Sequence, residues 1–177
     1  MSGHRSVASA SGGRRTRAVL SWVLVVLWAL FMWSRSLYPG SESGSQSLYV
    51  VELVRGAFEA VGVTDVHLME HIVRKTAHFC EYLVFGVLLA NTRPLPQAPR
   101  GRHAARTAAQ RPNLFVWPVF RLLLGVAVPS IDETIQRFVP GRTGQPSDVL
   151  LDCCGMLVGF GLCCLVHRIR IRRRVAE

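Results

Sequence analysis

Ionisable side chains recur at three- and four-residue spacing within one long apolar stretch of the sequence. This stretch contains Lys75, His78 and Tyr82, and the acidic Glu81 lies among them. On a helix, such spacing places most of these groups on one face. An ionised group in an apolar run is costly unless it is paired or hydrated, so His78 and Glu81 are functional candidates. The competing interpretation is that they hydrogen-bond across helices and stabilise the fold.

A second stretch combines acidic, amide and basic groups around a turn. It reads Asp132-Glu133-x-x-Gln136-x-Phe138-x-Pro140-Gly141-Arg142 and is followed by Asp148-Val-Leu-Leu-Asp152-x-x-Gly155. A helix that begins near Pro146 would place Asp148 at its positive end, which is enough to explain that residue. The same role does not explain Asp152, which would lie one helical turn further on. Imidazole and carboxyl groups in these positions can serve as general acids and bases.

Four apolar runs must position these groups. Each is long enough to cross a hydrocarbon core of about 30 Å, and they cover residues 18–34, 76–92, 114–131 and 149–166. Half of all residues are apolar and only 18% are charged, against about 25% in an average soluble domain. The basic residues lie in blocks between the apolar runs, which excludes a soluble nucleic-acid-binding domain. We therefore predict an all-α, polytopic membrane bundle with four transmembrane helices.

The distribution of charge predicts the orientation of this bundle. The chain has 21 basic residues and a net charge of +10, and Lys and Arg are retained on the cytoplasmic side of a membrane. Fourteen of the basic residues lie in the two terminal tails and the second loop, whereas the other two loops hold eight of the eleven acidic residues. Both termini are therefore predicted to be cytoplasmic.

The composition also predicts how the chain is divided. The three parts are a disordered basic cytoplasmic tail, a four-helix membrane domain and a second basic cytoplasmic tail, at residues 1–17, 18–166 and 167–177. Residues 93–113, rich in Pro and Arg, predict a flexible cytoplasmic linker.

Residues 48–61 have apolar side chains at helical spacing. They predict an amphipathic helix that lies on the outer membrane surface or packs against the bundle. Asp65 is expected to cap a helix that continues through the second span without a break.

Two features inside the spans are expected to be structural. Gly155, Gly159 and Gly161 form a small-residue face that lets helices pack closely. Arg121 lies in the middle of the third apolar run, where an unpaired charge is costly, so we expect an ion pair with Glu81 or Asp152.

Taken in order, the polar fragments resemble the VanZ-like family of small bacterial membrane proteins. The matching fragments are Arg74-Lys75-x-x-His78-Phe79-x-x-Tyr82, the run from Asp132 to Arg142, and the run from Asp148 to Gly155. Trp33-Ser34 and the Ser-rich stretch after them are similar to the first outer loop of that family, so the resemblance covers about residues 20–165. Two positions depart from the family pattern, because Arg74 stands where Asp is usual and Asp152 where Asn is usual.

The resemblance implies a bacterial cytoplasmic membrane protein. It also implies a link to antibiotic resistance, since the founding member of the family accompanies glycopeptide-resistance genes and lowers susceptibility to teicoplanin. It implies no established reaction.

Charge topology and resemblance together place both polar stretches on the extracytoplasmic side. We expect them to form an outward-facing polar cleft that binds or modifies an amphipathic cell-envelope component. The expected ligand-binding residues are Lys75, His78, Tyr82, Asp132, Glu133, Gln136, Arg142, Asp148 and Asp152. The expected partners are a membrane lipid and, as the amphipathic envelope component, either a lipoglycopeptide or a lipid-linked cell-wall precursor. No nucleic acid, cofactor or metal is predicted.

Three functional classes remain open. The first is binding without turnover, with a contribution to teicoplanin-type resistance. The second is a membrane-embedded hydrolase or transferase that acts on a lipid-linked envelope substrate. In such an enzyme, His78 would be the general acid or base, and Asp132 and Glu133 would orient His78 or bind a metal. The third is a small transporter, although the sequence has no internal repeat and no broken helix pair.

Overall fold

The computed structural model describes residues 3–94, 116–142 and 144–176, which fold into five α-helices. In chain order these are α1 (Gly3–Ser36), α2 (Gly40–Ala60), α3 (Val66–Asn91), α4 (Val116–Arg137) and α5 (Pro146–Ala176). No β-strand occurs among the described residues, and the predicted all-α class is confirmed. Most of the predicted linker at 93–113 lies outside the described residues.

The first helix is longer than the sequence predicts. We expected residues 1–17 to be disordered, but α1 begins at Gly3 and continues without interruption into the apolar run. Extending an existing helix adds one backbone hydrogen bond for each residue fixed, without the cost of a new nucleus. The helix that forms in the apolar run can therefore extend into the polar tail.

The segment between the first two apolar runs is helical, as its spacing predicts. The amphipathic pattern at 48–61 falls almost entirely on α2, which packs against α3 with Val51 fully buried. A turn at Gly62, whose φ of 83° favours glycine, then leads to α3. The side chain of Asp65 accepts a hydrogen bond of 2.9 Å from the backbone N–H of His67, which confirms the predicted cap. The predicted continuous helix is α3.

The core lies between α1, α3, α4 and α5, with α3 at its centre because α3 contacts all four other helices. The buried residues of this core are Val25, Ala29, Met32, Tyr82, Phe85, Leu89, Val128 and Met156. Large apolar side chains also cover the outer surfaces of α1, α4 and α5, where Leu27, Leu123 and Leu150 are 57%, 63% and 68% exposed.

Close packing of α3 against α5 depends on glycine. A Cβ at Gly155 would meet the backbone carbonyl of Phe79, and one at Gly159 would meet the carbonyl of Leu83. From the opposite side, Gly86 lies against the carbonyl of Met156. A Cβ at Gly161 would meet nothing within 4 Å. The predicted small-residue face is therefore confirmed at two of its three positions.

These contacts predict opposite effects for two neighbouring substitutions. Gly159→Ala should force α3 and α5 apart and lower the free energy of unfolding by about 1–3 kcal/mol, the usual cost of overpacking. Gly161→Ala is the matched control, and its helix propensity should stabilise the fold by up to about 1 kcal/mol. Thermal unfolding of both variants in detergent would measure this, and equal midpoints would contradict the packing described.

Two of the described helices are long and apolar enough to cross a membrane by length and composition, within Arg15–Ser36 and Pro146–Val175. The sequence predicts four spans, and this measure supports two of them. Polar residues interrupt the others, since Arg74, Lys75 and Glu81 lie on α3 and acidic residues lie in the last turns of α4.

The predicted ion pair of Arg121 with Glu81 or Asp152 is wrong. Arg121 instead donates a 3.0 Å hydrogen bond to Oγ1 of Thr92 and a second bond to the Thr92 carbonyl, and its guanidinium lies 5.4 Å from the Trp117 ring centroid. Because α4 begins beside the carboxyl end of α3, Arg121 lies near that end and not in the middle of the bundle. A cation there is stabilised by the helix dipole of α3 and needs no carboxylate.

Candidate functional site

A polar cavity of about 150 Å³ lies at the end of the bundle where α3 and α5 begin and α4 ends. Its walls come from these three helices, from the turn after α4 and from the first residue of α2. The lining residues are Gly40, His71, Arg74, Lys75, His78, Glu133, Gln136, Gly141, Arg142, Gln145, Asp148, Leu151 and Asp152. We call it the α5-side cavity.

A second cavity of about 200 Å³ lies on the other side of α3, toward α1 and α2. We call it the α2-side cavity. Its polar lining includes Arg35, which forms a 3.3 Å ion pair with Glu81. Arg74, His78 and Arg142 line both cavities and form the boundary between them.

The turn after α4 holds Arg142 over this end of the bundle. Gly141 adopts a φ of 74°, which favours glycine, and its backbone packs directly against Gly40. The N–H of Gly40 donates a 3.1 Å hydrogen bond to the carbonyl of Pro140. The guanidinium of Arg142 donates to the carbonyls of Tyr38 and Arg35, at 3.0 and 3.3 Å. The loops after α1 and α4 are therefore joined, and Arg142 is fixed between them.

Behind the α5-side cavity, Asp132 is buried in a hydrogen-bonded cluster. The hydroxyl of Ser36 donates to Oδ1 of Asp132 at 2.5 Å, and Nε2 of Gln136 donates to Oδ2 at 3.1 Å. Gln136 and Asp132 are one helical turn apart on α4, whereas Ser36 is the last residue of α1. Tyr82 is fully buried, and its hydroxyl has no hydrogen-bond partner among the described residues.

The wall of the α5-side cavity contains two further polar contacts. Nζ of Lys75 forms an ion pair with Asp148, whose carboxylate lies in the first turn of α5. The carboxylate of Glu133 accepts a hydrogen bond from the backbone N–H of Gln145. Both contacts connect the start of α5 to a neighbouring helix.

Arg74 and Arg142 differ from the other cations of the site. Within the part of the chain that the structure describes, neither has a carboxylate oxygen within 4.0 Å, whereas Lys75 and Arg35 each have one. Burial lowers the pKa of Arg142, Asp132 opposes this effect, and the positive charge of Arg74 lowers the pKa further. Two guanidinium groups near each other, without paired acids, make this boundary attractive to an anion.

His78, Asp132 and Asp152 offer a different kind of site. One ligand atom from each side chain lies within 4.8 Å of the others, and the three residues come from α3, α4 and α5. Imidazole nitrogen and carboxylate oxygen are ligands for divalent metal ions. These three residues could therefore hold a metal.

The structure brings most of the predicted site residues to one place. Those that line the α5-side cavity are Lys75, His78, Glu133, Gln136, Arg142, Asp148 and Asp152. Asp132 and Tyr82 are instead buried behind the wall. Arg74 was not predicted as a ligand-binding residue, and Ser36 was missed although a Ser that closes an apolar run is a polar signal. Gly40 was also missed, and the Pro39-Gly40 pair would have indicated a turn.

The outer surfaces of the helices are apolar, and a polar cluster is buried at one end of the bundle. These features describe an all-helical protein suited to an apolar environment. A family model described as VanZ/LLP1 matches residues 21–167, which is most of the chain. The chain therefore belongs to the VanZ-like family, and the resemblance read from the polar fragments is confirmed. No curated protein and no solved structure matches the chain.

Proposed function

We propose that this VanZ-like protein spans the bacterial cytoplasmic membrane four times, with both termini in the cytoplasm. Its polar cleft, made of the two cavities and their shared boundary, would open outward and bind the anionic headgroup of a lipid-linked cell-wall precursor. A precursor bound in the cleft would be inaccessible to a glycopeptide. Such protection would link the cleft to teicoplanin-type resistance. Direct binding of a lipoglycopeptide is the alternative that the experiment below tests.

The packing supports the proposal that α3 and α4 cross the membrane despite their charges. The charged residues of α3, Arg74, Lys75 and Glu81, are each partly buried among the neighbouring helices, which would lower the cost of placing them in a membrane. With 22 residues, α4 is about 33 Å long, enough for a hydrocarbon core of about 30 Å. It also presents exposed apolar residues, among them Val119, Leu122 and Leu123. Trp22 and Trp117 lie together at the end opposite the cavities, as expected for a membrane interface.

The boundary formed by Arg74 and Arg142 carries the proposal for the ligand. Two guanidinium groups without carboxylate partners fit a phosphate better than a sugar or a peptide, because each can donate two parallel hydrogen bonds to its oxygens. Lipid-linked precursors carry phosphate at the membrane surface, at the depth where an outward cleft would open. Binding without turnover requires nothing more than these donors.

Native mass spectrometry of the full chain in detergent would test the ligand. The protein should retain a pyrophosphate-linked polyprenyl precursor and should not retain diacylglycerol, which has an apolar body but no phosphate. Retention of teicoplanin without the precursor would instead favour the lipoglycopeptide. Equal retention of the precursor and diacylglycerol would contradict headgroup recognition.

The topology predicts different labelling at two exposed positions. In a variant with its five cysteines replaced, Thr64→Cys should react with a membrane-impermeant maleimide added to intact cells. Arg172→Cys should react only after the membrane is opened, because the basic residues around it are retained in the cytoplasm. Labelling of position 172 in intact cells would contradict the proposed orientation.

A further inference from the structure

Asp152 is buried without the partners that a buried carboxylate normally has. It is 2% exposed, and its Oδ1 atom accepts no hydrogen bond from any described residue. The ammonium group of Lys75, which also lines this cavity, is already paired with Asp148. A buried carboxylate without a partner costs several kcal/mol. A cationic ligand would remove that cost.

The surroundings of Asp152 supply the other donors that such a ligand needs. His78 and Asp132 each have a ligand atom within 4.8 Å of the Asp152 carboxylate, and no hydrogen bond joins the three side chains. A small ion placed between these three side chains would be within reach of a ligand atom from each. Metal–ligand bonds of about 2.0–2.2 Å then need only modest changes in side-chain rotamers.

We propose that His78, Asp132 and Asp152 bind one divalent transition-metal ion, with Zn²⁺ as the best match. One imidazole and two carboxylates give a neutral site with a dication, and this mixture of nitrogen and oxygen donors suits Zn²⁺ better than Mg²⁺. Three protein ligands leave a further coordination position on the ion.

The hydrogen bonds around Asp132 fit this role. Ser36 and Gln136 each donate to a different oxygen of the carboxylate and fix its orientation, while a lone pair on each oxygen remains available. Groups that orient metal ligands in this way typically change metal affinity by about 10- to 100-fold when they are removed. Ser36 is therefore a positioning residue of the proposed site.

Metal binding can be measured in the absence of any lipid ligand. The untagged full chain in detergent would be stripped with a chelator, dialysed against Zn²⁺, and its metal content measured by mass spectrometry. We expect one Zn²⁺ per chain. Both Asp152→Asn and His78→Gln should weaken binding at least about tenfold, and Ser36→Ala should weaken it by about 10-fold or more. Co²⁺ should give a visible d–d spectrum in the wild type that is lost in Asp152→Asn.

His67→Gln is the matched control, because His67 is exposed and could form a chelating pair with His71 one turn away. This variant should bind Zn²⁺ like the wild type. The proposal is overturned if His67→Gln loses the ion, or if Asp152→Asn and His78→Gln both keep it with unchanged affinity. It is also overturned if the wild type binds no more Zn²⁺ than the detergent alone. Circular dichroism would establish that each variant compared is folded.

Discussion

Replacing both Arg74 and Arg142 by Gln is expected to reduce affinity for the phosphate-bearing precursor about 100-fold or more. Each charge-assisted hydrogen bond contributes about 1.5–3 kcal/mol, and a tenfold change in affinity corresponds to about 1.4 kcal/mol. Since both guanidinium groups lie at the boundary of the two cavities, one anion can contact both. Titration of the purified protein with a fluorescent precursor would measure the loss.

Arg55→Gln is the matched control for this double variant. Arg55 lies on α2 in an exposed pair with Glu52, at 3.2 Å, and lines neither cavity. Its removal changes the net charge without changing the boundary, so the affinity should stay within about twofold, as screening of a surface charge predicts. If the control lost as much affinity as the double variant, binding would depend on overall charge and not on the proposed cleft.

In cells, we expect the level of teicoplanin resistance to depend on binding of the precursor by the cleft. A susceptible host that expresses the wild-type chain should tolerate more teicoplanin than one that expresses the Arg74→Gln/Arg142→Gln variant at the same membrane abundance. Normal resistance in the double variant would show that the cleft does not cause the phenotype, even if the wild-type cleft binds the precursor.

Local rules predicted those parts of the fold that depend on neighbours in sequence. The Asp65 cap and the unbroken α3 follow from residue type and spacing along one helix. Close helix packing at Gly155 and Gly159 follows from the absence of a side chain at two positions one turn apart, although only the structure shows that the partner is α3. Such features can be predicted without knowing which helix packs against them.

Contacts between distant residues could not be predicted in the same way. The hydrogen bond from Ser36 to Asp132 joins residues 96 positions apart. It depends on the rotation of α1 and α4 about their axes, which the sequence pattern does not fix. The error at Arg121 has the same origin, because an expected depth in the membrane was used in place of the actual position of α4 beside Thr92. Spacing selected most residues of the candidate site, and only the packing showed which of them line a cavity and which lie behind it.

Lys75→Met is expected to lower the free energy of unfolding by about 2–3 kcal/mol. Lys75 and Asp148 form an ion pair whose side chains are only 23% and 25% exposed, so removal of the ammonium group leaves a largely buried carboxylate without its partner. Breaking a fully buried pair costs about 3–5 kcal/mol. The cost here is smaller because water reaches the pair, and because the amino end of α5 continues to stabilise the Asp148 charge.

A second substitution distinguishes a stranded charge from lost packing. Adding Asp148→Asn to Lys75→Met should recover at least about 1 kcal/mol, because the neutral amide no longer needs the ammonium group. Glu52→Gln, which breaks the exposed pair with Arg55, is the control and should change stability by less than about 0.5 kcal/mol. Thermal unfolding of all four variants, including Asp148→Asn alone, completes the double-mutant cycle. Additive effects of the two substitutions would show that the Lys75–Asp148 contact does not couple α3 to α5.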